Sequence, residues 1–440
     1  MPESSDRRRS GSRAPNNTAT REIALVGGGP KAAAVCVKAS ALRKVAKLDL
    51  KVTIFERSAF GSAWDGRHGF TDGEQLLCTS AERDLGFPYA RDTFGLLVAE
   101  ETQARASWQA FAVREGLYHD WVDKGRRPLP HGLFAQYVDH VIRGSGAAAV
   151  FGEVIRLEPR DGKWQIHYRD RETAAEAHRD GFDAVVVTGT GPPRTDLPQP
   201  PDSRIFDGQD FWRLGASIPA LVEDSRDPIV IVGSGGTSAA IAAKLEQMRL
   251  RRRIVILGTR PTLYARVDSF FENRVFTNPA TWSTLSKPDR RAFTERLARG
   301  AVWANVLDGL VDADLEYRPA KVTGIRHEPL GDPGGELMVD YETPLGGSLF
   351  SQPAAVVVDA TGFDLSWFAD LLPDPWRQEI RGEDQRMREE MDSALRLPLV
   401  GTPPLHAPML SQVVGPGFSS LMALGDLSDA ILRPYVEALT

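Results

Sequence analysis

The hydrophobic pattern of the chain is organised around two short apolar runs, each followed by a glycine-rich turn and a helix-forming segment. The first run, residues 23–26, leads into three glycines, and the second, residues 228–232, leads into Gly233-Ser234-Gly235-Gly236. Such a run ending at glycine predicts a buried parallel strand that turns tightly into a helix. A second apolar strand follows in each unit, at residues 51–55 and 253–257. This order predicts an α/β protein with two Rossmann-like units.

Other segments fit the same plan. Residues 101–116 and 131–143 carry apolar positions at helical spacing, and alternation between 151 and 178 predicts a small antiparallel sheet. Residues 185–193 and 356–363 each predict a buried return strand that ends in small residues. We therefore expect the second unit to be nested in the first. The expected divisions are a disordered tail at 1–20, the first unit at 21–205, the inserted unit at 206–351 with a small, mostly helical substrate region at 264–282, and the return of the first unit at 352–440.

The first glycine loop has the residues that a dinucleotide site requires. Gly27 allows the sharp turn, Gly29 leaves room for a pyrophosphate, and Ala32 stands where a small residue lets the helix pack on the strand. The helix N-terminus offers free N–H groups and a favourable dipole to phosphates. Glu56, at the end of the second strand, is placed to accept hydrogen bonds from a ribose. The predicted contacts are Gly27, Gly29, Pro30, Lys31, Ala32 and Glu56.

The second glycine loop differs at the end of its second strand, where the expected acid is missing and Arg260 follows. An arginine suits the 2′-phosphate of NADPH, whereas an acid would repel it. The neighbouring arginines at 249 and 251–253 could equally form a solvated helix end. Two dinucleotide sites in one chain imply electron transfer, most simply from NADPH to a bound FAD. The predicted NADPH contacts are Gly233, Ser234, Gly235, Gly236, Thr237, Ser238 and Arg260.

Irregular stretches carry the remaining candidate chemistry. Residues 57–100 have little periodicity, and such a stretch inside a compact unit is usually functional. Trp64 could stack there on a flat ring or belong to the core. We expect Gly417 and Phe418, in the last segment, to help cover the flavin. A third stretch places Asp268, Glu272 and Asn273 among phenylalanines, as a small-molecule pocket requires. These phenylalanines are Phe270, Phe271 and Phe276.

Composition narrows the class of protein. The 440 residues include 53 basic and 59 acidic side chains, and the net charge of −6 predicts no general attraction to nucleic acid or anionic membranes. No apolar run approaches the ~18 residues of a membrane span, and the tail lacks the apolar region of a secretory signal. The two cysteines, Cys36 and Cys78, are typical of a reducing compartment. We expect a cytoplasmic enzyme with a small-molecule substrate and no metal.

Local residues separate the flavoprotein families that share this plan. Baeyer-Villiger and dimethylaniline monooxygenases carry FxGxxxH ahead of the second unit, whereas this chain has Trp212 in place of the histidine. Over nearly its whole length after the tail, the chain resembles the N-hydroxylating amine monooxygenases of siderophore pathways, most closely the mycobactin and nocobactin lysine N6-monooxygenases. The shared motifs are Gly27-Gly28-Gly29-Pro30-Lys31-Ala32, Phe70-Thr71-Asp72-Gly73, Thr79-Ser80, Asp84-Leu85-Gly86-Phe87-Pro88-Tyr89, Phe270-Phe271-Glu272-Asn273, Gly415-Pro416-Gly417-Phe418 and Leu427-Ser428-Asp429.

The resemblance implies an activity. NADPH reduces FAD, O₂ adds at C4a of the reduced ring, and a substrate amine attacks the terminal oxygen of that hydroperoxide to give a hydroxylamine. The N6 amine of L-lysine is the expected substrate; ornithine, a diamine or another amino acid remains an alternative, as does a flavoprotein that only oxidises NADPH. Since relatives form oligomers, a homo-oligomer is expected.

The resemblance also implies site residues. Asn273 matches an asparagine near the substrate amine, and Arg83 stands where relatives carry a lysine, so both are our candidate catalytic residues. Arg83 could instead be a surface partner of Glu82 or Asp84. Ornithine hydroxylases show an Asn-Tyr-Ser stretch near residues 302–304, where this chain lacks the asparagine. The predicted substrate contacts are Arg83, Glu272, Asn273, Thr361, Gly362 and Phe363.

Overall fold

The structure is a computed structural model that describes residues 20–194, 196–298, 301–329, 332, 334–344, 346 and 348–439. The predicted disordered tail therefore lies outside the described residues, except for Thr20. Within the described part of the chain, no helix is both long and apolar enough to cross a membrane.

The strands, numbered in chain order over the described residues, form two larger and two smaller sheets. They are β1 (Arg21–Val26), β2 (Leu50–Glu56), β3 (Ala148–Arg160), β4 (Lys163–Asp170), β5 (Glu176–Phe182), β6 (Ala184–Val187), β7 (Ile205–Asp207), β8 (Ile229–Val232), β9 (Ile254–Gly258), β10 (Tyr264–Arg266), β11 (Ala301–Trp303), β12 (Leu315–Pro319), β13 (Lys321–Glu328), β14 (Glu336–Glu342), β15 (Leu349–Ala354), β16 (Val356–Asp359) and β17 (Leu405–His406).

The α-helices of the described residues are also numbered in chain order. They are α1 (Pro30–Ala46), α2 (Leu96–Ala106), α3 (Trp108–Arg114), α4 (Tyr118–Asp123), α5 (His131–Ser145), α6 (Asp210–Leu214), α7 (Ile218–Val222), α8 (Gly236–Gln247), α9 (Phe270–Thr277), α10 (Pro279–Ser283), α11 (Lys287–Phe293), α12 (Ala304–Asp308), α13 (Trp376–Gly382), α14 (Asp384–Glu389), α15 (Pro416–Ser419) and α16 (Leu424–Glu437).

The first unit is built on the sheet β17-β6-β1-β2-β3-β4-β5, which is parallel from β17 to β3 and antiparallel beyond it. Strand β1 lies inside the sheet between β6 and β2, and Ile23, Ala24 and Leu25 are fully buried. Helix α1 connects β1 to β2, as a parallel pair requires. Helix α16 packs on α1, where Lys38 and Asp429 form a buried ion pair at 2.6 Å. Residues near the C-terminus thus belong to the first core.

The second unit is built on the all-parallel sheet β12-β9-β8-β16-β7. Helix α8 connects β8 to β9, which repeats the arrangement around α1. The two sheets confirm the predicted α/β fold class. Strand β16 lies in this second sheet, so the sheet uses strands on both sides of residue 351. The predicted divisions stay a prediction, and this placement favours an end of the inserted unit after β16.

A short helical region, α9 to α11, follows β10. Each helix begins after a residue whose side chain accepts a hydrogen bond from the first turn, namely Ser269, Asn278 and Ser286. Such N-caps satisfy N–H groups that have no partner inside the helix. Because α9 carries Asn273, this region positions the candidate substrate residues.

The apolar spacing at residues 101–116 corresponds to two helices, α2 and α3, that meet at Ser107. The backbone of Ser107 is extended, and its side chain accepts a hydrogen bond from the N–H of Ala110. The serine therefore ends one helix and caps the next, which the hydrophobic period does not reveal.

Candidate active site

The first glycine loop has the shape of a pyrophosphate cradle. Gly27 has φ of +97°, and a Cβ there would lie 2.8 Å from Oγ1 of Thr188, so both the turn and the packing require glycine. A Cβ at Gly29 would meet nothing within 4 Å. Helix α1 begins directly afterwards with Pro30. The open side of Gly29 and the helix N-terminus therefore leave room for phosphates, and this fits FAD.

Glu56 lies at the end of β2, beside this loop, as the sequence predicts. It is 7% exposed, and its Oε2 accepts a hydrogen bond from the N–H of Gly28 at 2.7 Å. Its Oε1 accepts another from the N–H of Ser58 at 2.7 Å. A carboxylate has about four acceptor positions, so these two hydrogen bonds leave positions at which Glu56 can accept a ribose hydroxyl.

The C-terminal segment reaches the same place. Nζ of Lys31 lies 3.3 Å from the carbonyl oxygens of Ser419 and Ser420. A Cβ at Gly417 would lie 2.1 Å from the carbonyl oxygen of Phe276. This segment therefore joins the start of α1 to helix α9, and the buried Phe418 lies within it.

Trp64 is half-buried and packs edge-on against α5. Its ring centroid lies 4.7 Å from that of His131 and 5.3 Å from that of Phe134. The N–H of Gly61 donates to the carbonyl of Gly28 at 2.9 Å, so this segment borders the first glycine loop. A flavin contact of Trp64 stays a prediction.

The second glycine loop repeats the first. Gly233 has φ of +134°, and a Cβ there would lie 2.5 Å from the carbonyl oxygen of Ala360. A Cβ at Gly236 would meet nothing within 4 Å. Oγ of Ser238 donates to the carbonyl of Gly235 at 2.8 Å, which fixes the first turn of α8. The remaining predicted contacts on this turn are Ser234 and Thr237.

The arginines near this loop divide into two groups. Arg252 donates to the carbonyls of residues 222 and 223, and Arg253 pairs with Asp314 at 3.2 Å, so these two have structural contacts. Arg260 donates from Nη2 to the carbonyl of Glu295 at 3.1 Å. Its own carbonyl accepts from the hydroxyl of Tyr317 at 2.6 Å. Together with the open side of Gly236, this position of Arg260 after β9 fits NADPH.

Tyr317 is a residue that sequence reasoning missed. Its hydroxyl joins Arg260, which follows β9, to Ser234 of the glycine loop, and burial raises its pKa. The register that brings it there is the parallel pairing of β12 with β9. No local motif in the sequence marks that pairing.

A polar cluster forms where α9 faces the irregular segment of the first unit. Nδ2 of Asn273 donates to Oδ1 of Asp268 at 3.0 Å, and Nη2 of Arg83 lies 3.8 Å from the same oxygen. Oδ1 of Asn273 is buried and accepts no hydrogen bond from the described residues. The fold thus brings together Arg83 and Asn273, which are far apart in sequence.

The side chain of Arg83 is 15% exposed, and its Nη1 also lies 3.4 Å from Sδ of Met422. The carboxylate of Asp84 is instead bound by the hydroxyl of Tyr89 and the N–H of Trp108. This placement favours the interpretation of Arg83 as a site residue over that of a surface ion pair. Burial lowers its pKa, and Asp268 opposes that effect.

Arg266 is a second cation of this cluster that sequence reasoning did not select. It is 6% exposed, and its guanidinium lies 4.0 Å from the ring centroid of Phe276 and 4.9 Å from that of Trp303. Burial lowers its pKa to about 10, although the charge of Glu272 acts in the opposite direction. The cluster therefore contains two guanidinium groups and two carboxylates.

The expected phenylalanine frame is only partly present. Phe276 is buried, but Phe270 is 67% exposed and Phe271 is 81% exposed. The expectation that all three phenylalanines surround the polar groups is therefore wrong. Helical geometry explains the difference, since neighbouring positions on a helix cannot all face one side.

The other predicted substrate residues lie in a separate place. Thr361, Gly362 and Phe363 line a cavity of about 1010 Å³ between the units, whose lining does not include Arg83, Glu272 or Asn273. The ring of Phe363 lies 6.2 Å from that of Phe70. The predicted substrate residues thus fall into two groups, and only one contains the polar cluster.

No family model matches the chain. A curated relative, the L-lysine N6-monooxygenase MbtG of Mycobacterium sp. (strain MCS), is 32% identical over 435 residues, which cover 94% of this chain and 95% of the relative. The chain belongs to the MbtG family of L-lysine N6-monooxygenases. The resemblance stated from the sequence motifs is confirmed.

Solved structures agree with the MbtG family assignment. The lysine monooxygenase NbtG from Nocardia farcinica matches with a TM-score of 0.77 and 26% identity, covering 94% of this chain and 100% of that one. The ornithine N-hydroxylase KtzI from Kutzneria sp. 744, solved with reduced FAD, NADP⁺ and L-ornithine, matches with a TM-score of 0.69 and 17% identity over 95% and 99% of the two chains. The second likeness shows the fold alone.

Polar contacts join the two units of this MbtG-family chain. Nζ of Lys244, on α8, lies 2.8 Å from Asp72 of the first unit. Nε2 of Gln209 donates to the carbonyl of His68 at 3.1 Å. Burial raises the pKa of Asp72, but hydrogen bonds from Lys244 and from backbone N–H groups outweigh burial and lower it. The motif at residues 70–73 therefore lies at the junction of the units.

Proposed function

We propose that this protein converts the N6 amine of L-lysine to a hydroxylamine. The overall reaction consumes one O₂ and one NADPH with a proton, and gives the N6-hydroxylamine, NADP⁺ and water. The family assignment supports this reaction, because the MbtG relative matches along almost the whole of both chains. The two glycine loops support a chemistry that needs two dinucleotides.

One observation carries the proposal: Arg83, Asp268 and Asn273 form a polar cluster beside helix α9, which contacts the C-terminal segment at Gly417. Helix α9 carries Asn273 and packs through the carbonyl of Phe276 against Gly417. The same C-terminal segment is bound by Lys31 at the start of α1. The cluster is thereby connected to the FAD loop through a few direct contacts, as a reaction between a bound amine and a flavin requires.

The cofactors are FAD and NADPH. FAD would bind along Gly27, Gly29 and the start of α1, with Glu56 toward its ribose, and NADPH would bind along Gly233–Ser238 with Arg260 toward its 2′-phosphate. Bound FAD, reduced by NADPH, supplies the activated oxygen that the amine attacks.

The cations of the cluster help to set the protonation state of the substrate. A free lysine amine has a pKa of about 10.4 and is almost wholly protonated at neutral pH. Arg83 and Arg266 disfavour a further positive charge nearby, and partial burial acts in the same direction. Asp268 and Glu272 carry the opposite charge and oppose the effect of these cations. Burial therefore remains the factor that favours the neutral amine, which is the form that can attack oxygen.

The FAD-loaded protein tests this function directly. NADPH consumption and hydroxylamine formation should be measured in parallel with lysine, ornithine, cadaverine and putrescine. We expect hydroxylamine with lysine above the other amines. Hydroxylamine with ornithine or a diamine alone would correct the substrate, and H₂O₂ with every amine would refute the hydroxylase activity.

We also propose that the protein acts in the cytoplasm as a homo-oligomer, without a nucleic-acid partner. The negative net charge supports the last point. Two free cysteines, Cys36 and Cys78, support a reducing compartment. Sedimentation of the FAD-loaded protein would test the oligomeric state.

A further inference from the structure

Only the NH₂ end of the Asn273 side-chain amide has a hydrogen-bond partner among the described residues. Nδ2 donates to Oδ1 of Asp268 at 3.0 Å, while Oδ1 of Asn273 is buried and accepts no hydrogen bond from the described residues. Leaving a buried carbonyl without a donor is unfavourable, because it loses its hydrogen bonds to water and gains none in return. An acceptor kept in this condition within a polar cluster indicates that a ligand supplies the donor.

Asp268 determines which end of the amide remains open. An ionised carboxylate only accepts hydrogen bonds, so it can bind the NH₂ end of Asn273 and never the carbonyl end. Nη2 of Arg83 lies 3.8 Å from the same carboxylate oxygen. The side chain of Asp268 is 60% exposed, so its substitution should leave the fold intact.

We propose that Asp268 is a positioning residue, which fixes the amide of Asn273 so that Oδ1 accepts an N–H of the substrate amine. This inference rests on the proposed function and names a residue of the same site. The nitrogen lone pair of the amine must face the activated oxygen. A hydrogen bond through one N–H restricts the directions in which that lone pair can point. Loss of the orientation should therefore divert reduced flavin and O₂ to H₂O₂.

Asp268→Asn tests this role, because it keeps the shape of the side chain but can both donate and accept hydrogen bonds. The new amide can therefore bind either the NH₂ group or the carbonyl oxygen of Asn273. We expect the hydroxylamine formed per NADPH consumed, with lysine, to fall about tenfold. Flavin reduction by NADPH should stay within about twofold of wild type, because the hydride path does not use this amide. The matched control is Asp224→Asn, which removes an exposed carboxylate elsewhere.

Thermal unfolding of Asp268→Asn separates a positioning role from a structural one. A positioning role predicts a lower ratio of hydroxylamine to NADPH at an unchanged melting temperature. A purely structural role would instead appear in the melting temperature, with the ratio unchanged.

Lysine binding separates this inference from the proposed function. The dissociation constant of lysine for the FAD-loaded protein should rise about fivefold in Asp268→Asn, the equivalent of one lost hydrogen bond. If the wild type forms no hydroxylamine but this rise is observed, the proposed function fails and the positioning role stands. If Asp268→Asn matches Asp224→Asn in both product ratio and lysine affinity, the inference is overturned.

Discussion

Arg83 lies in the polar cluster with Asp268 and Asn273, and its contacts make it a sensitive test of the candidate substrate site. Arg83→Met should raise KM for lysine by about tenfold or more, because it removes a charged hydrogen-bond donor from the cluster. Arg83→Lys keeps the charge but loses the planar fork, so a smaller rise is expected. Steady-state hydroxylamine formation measures both.

Arg143→Met is a suitable control, since Arg143 is exposed and pairs with Asp139 one helical turn away. An unchanged KM in Arg83→Met would show that Arg83 does not face the substrate.

Asp426 gives a prediction about pH. Burial, and secondarily the Asp429 carboxylate, raise its pKa to about 7. This value lies above the ordinary pKa of an unfolded aspartate, about 3.9. Between about pH 4 and pH 7, the folded state therefore holds a proton on Asp426 that the unfolded state releases. The contribution of Asp426 to the free energy of unfolding is therefore most favourable at low pH, and it declines as the pH rises from about 4 to about 7.

Asp426→Asn should consequently raise the free energy of unfolding at pH 8, by about 1 kcal/mol or more, and change it little at pH 4. Denaturant unfolding at the two pH values measures the effect. A gain of equal size at both would point to a cause other than titration.

Individual site residues differ in how far the sequence reveals them. Asn273 and Arg83 are found through a motif, and the structure brings them together. Arg266 carries no comparable signal, because an arginine in a three-residue strand resembles a surface residue until Phe276 and Trp303 cover it. Its burial depends on long-range packing, which local pattern does not encode.

The first strand-loop-helix element offers a matched pair of glycine substitutions. Gly29→Ala adds a Cβ in open space, so it should leave the melting temperature of the apoprotein nearly unchanged while weakening FAD binding. Gly27→Ala adds a Cβ at positive φ and 2.8 Å from Thr188, so it should destabilise the fold by about 1–3 kcal/mol.

Flavin content after purification and thermal unfolding of the apoprotein separate the two effects. Full flavin retention in Gly29→Ala would contradict the assignment of this loop to the pyrophosphate.

Elements were predictable where one physical rule dominates. The continuous apolar runs of β1 and β8 predict buried parallel strands, and the glycines mark their turns. The break between α2 and α3 was not predicted, because Ser107 interrupts the helix through a side-chain hydrogen bond while the apolar spacing continues.

The junction of the two units can be tested through Lys244. Lys244→Met should lower the free energy of unfolding by about 1 kcal/mol at pH 7, because it removes a charged hydrogen bond to Asp72. The pKa of Asp72 is lowered in the folded state, so this contribution exists above its unfolded pKa and is lost as pH falls through the folded value. The difference from wild type should therefore shrink below about pH 4.

Lys287→Met, at an exposed lysine of α11, serves as the control for loss of a surface charge. Equal destabilisation by both variants would argue against a specific contact between the units.

At the scale of the whole molecule, the sequence predicts two Rossmann-like units but not how they meet. The repeated strand-glycine-helix order is a local signal. Contacts such as Lys244 with Asp72 and Gln209 with His68 are single polar pairs without periodicity, and each joins residues far apart in the sequence. Relative orientation therefore needs the structure.

The packing of α16 on α1 has a consequence for the order of assembly. Lys38 is buried in α1, and its carboxylate partner, Asp429, belongs to α16, far along the chain. A buried ammonium without a counter-ion is strongly unfavourable. Helix α1 should therefore reach its final packing only when α16 docks on it, and flavin capture by the glycine loop before α1 should follow that docking.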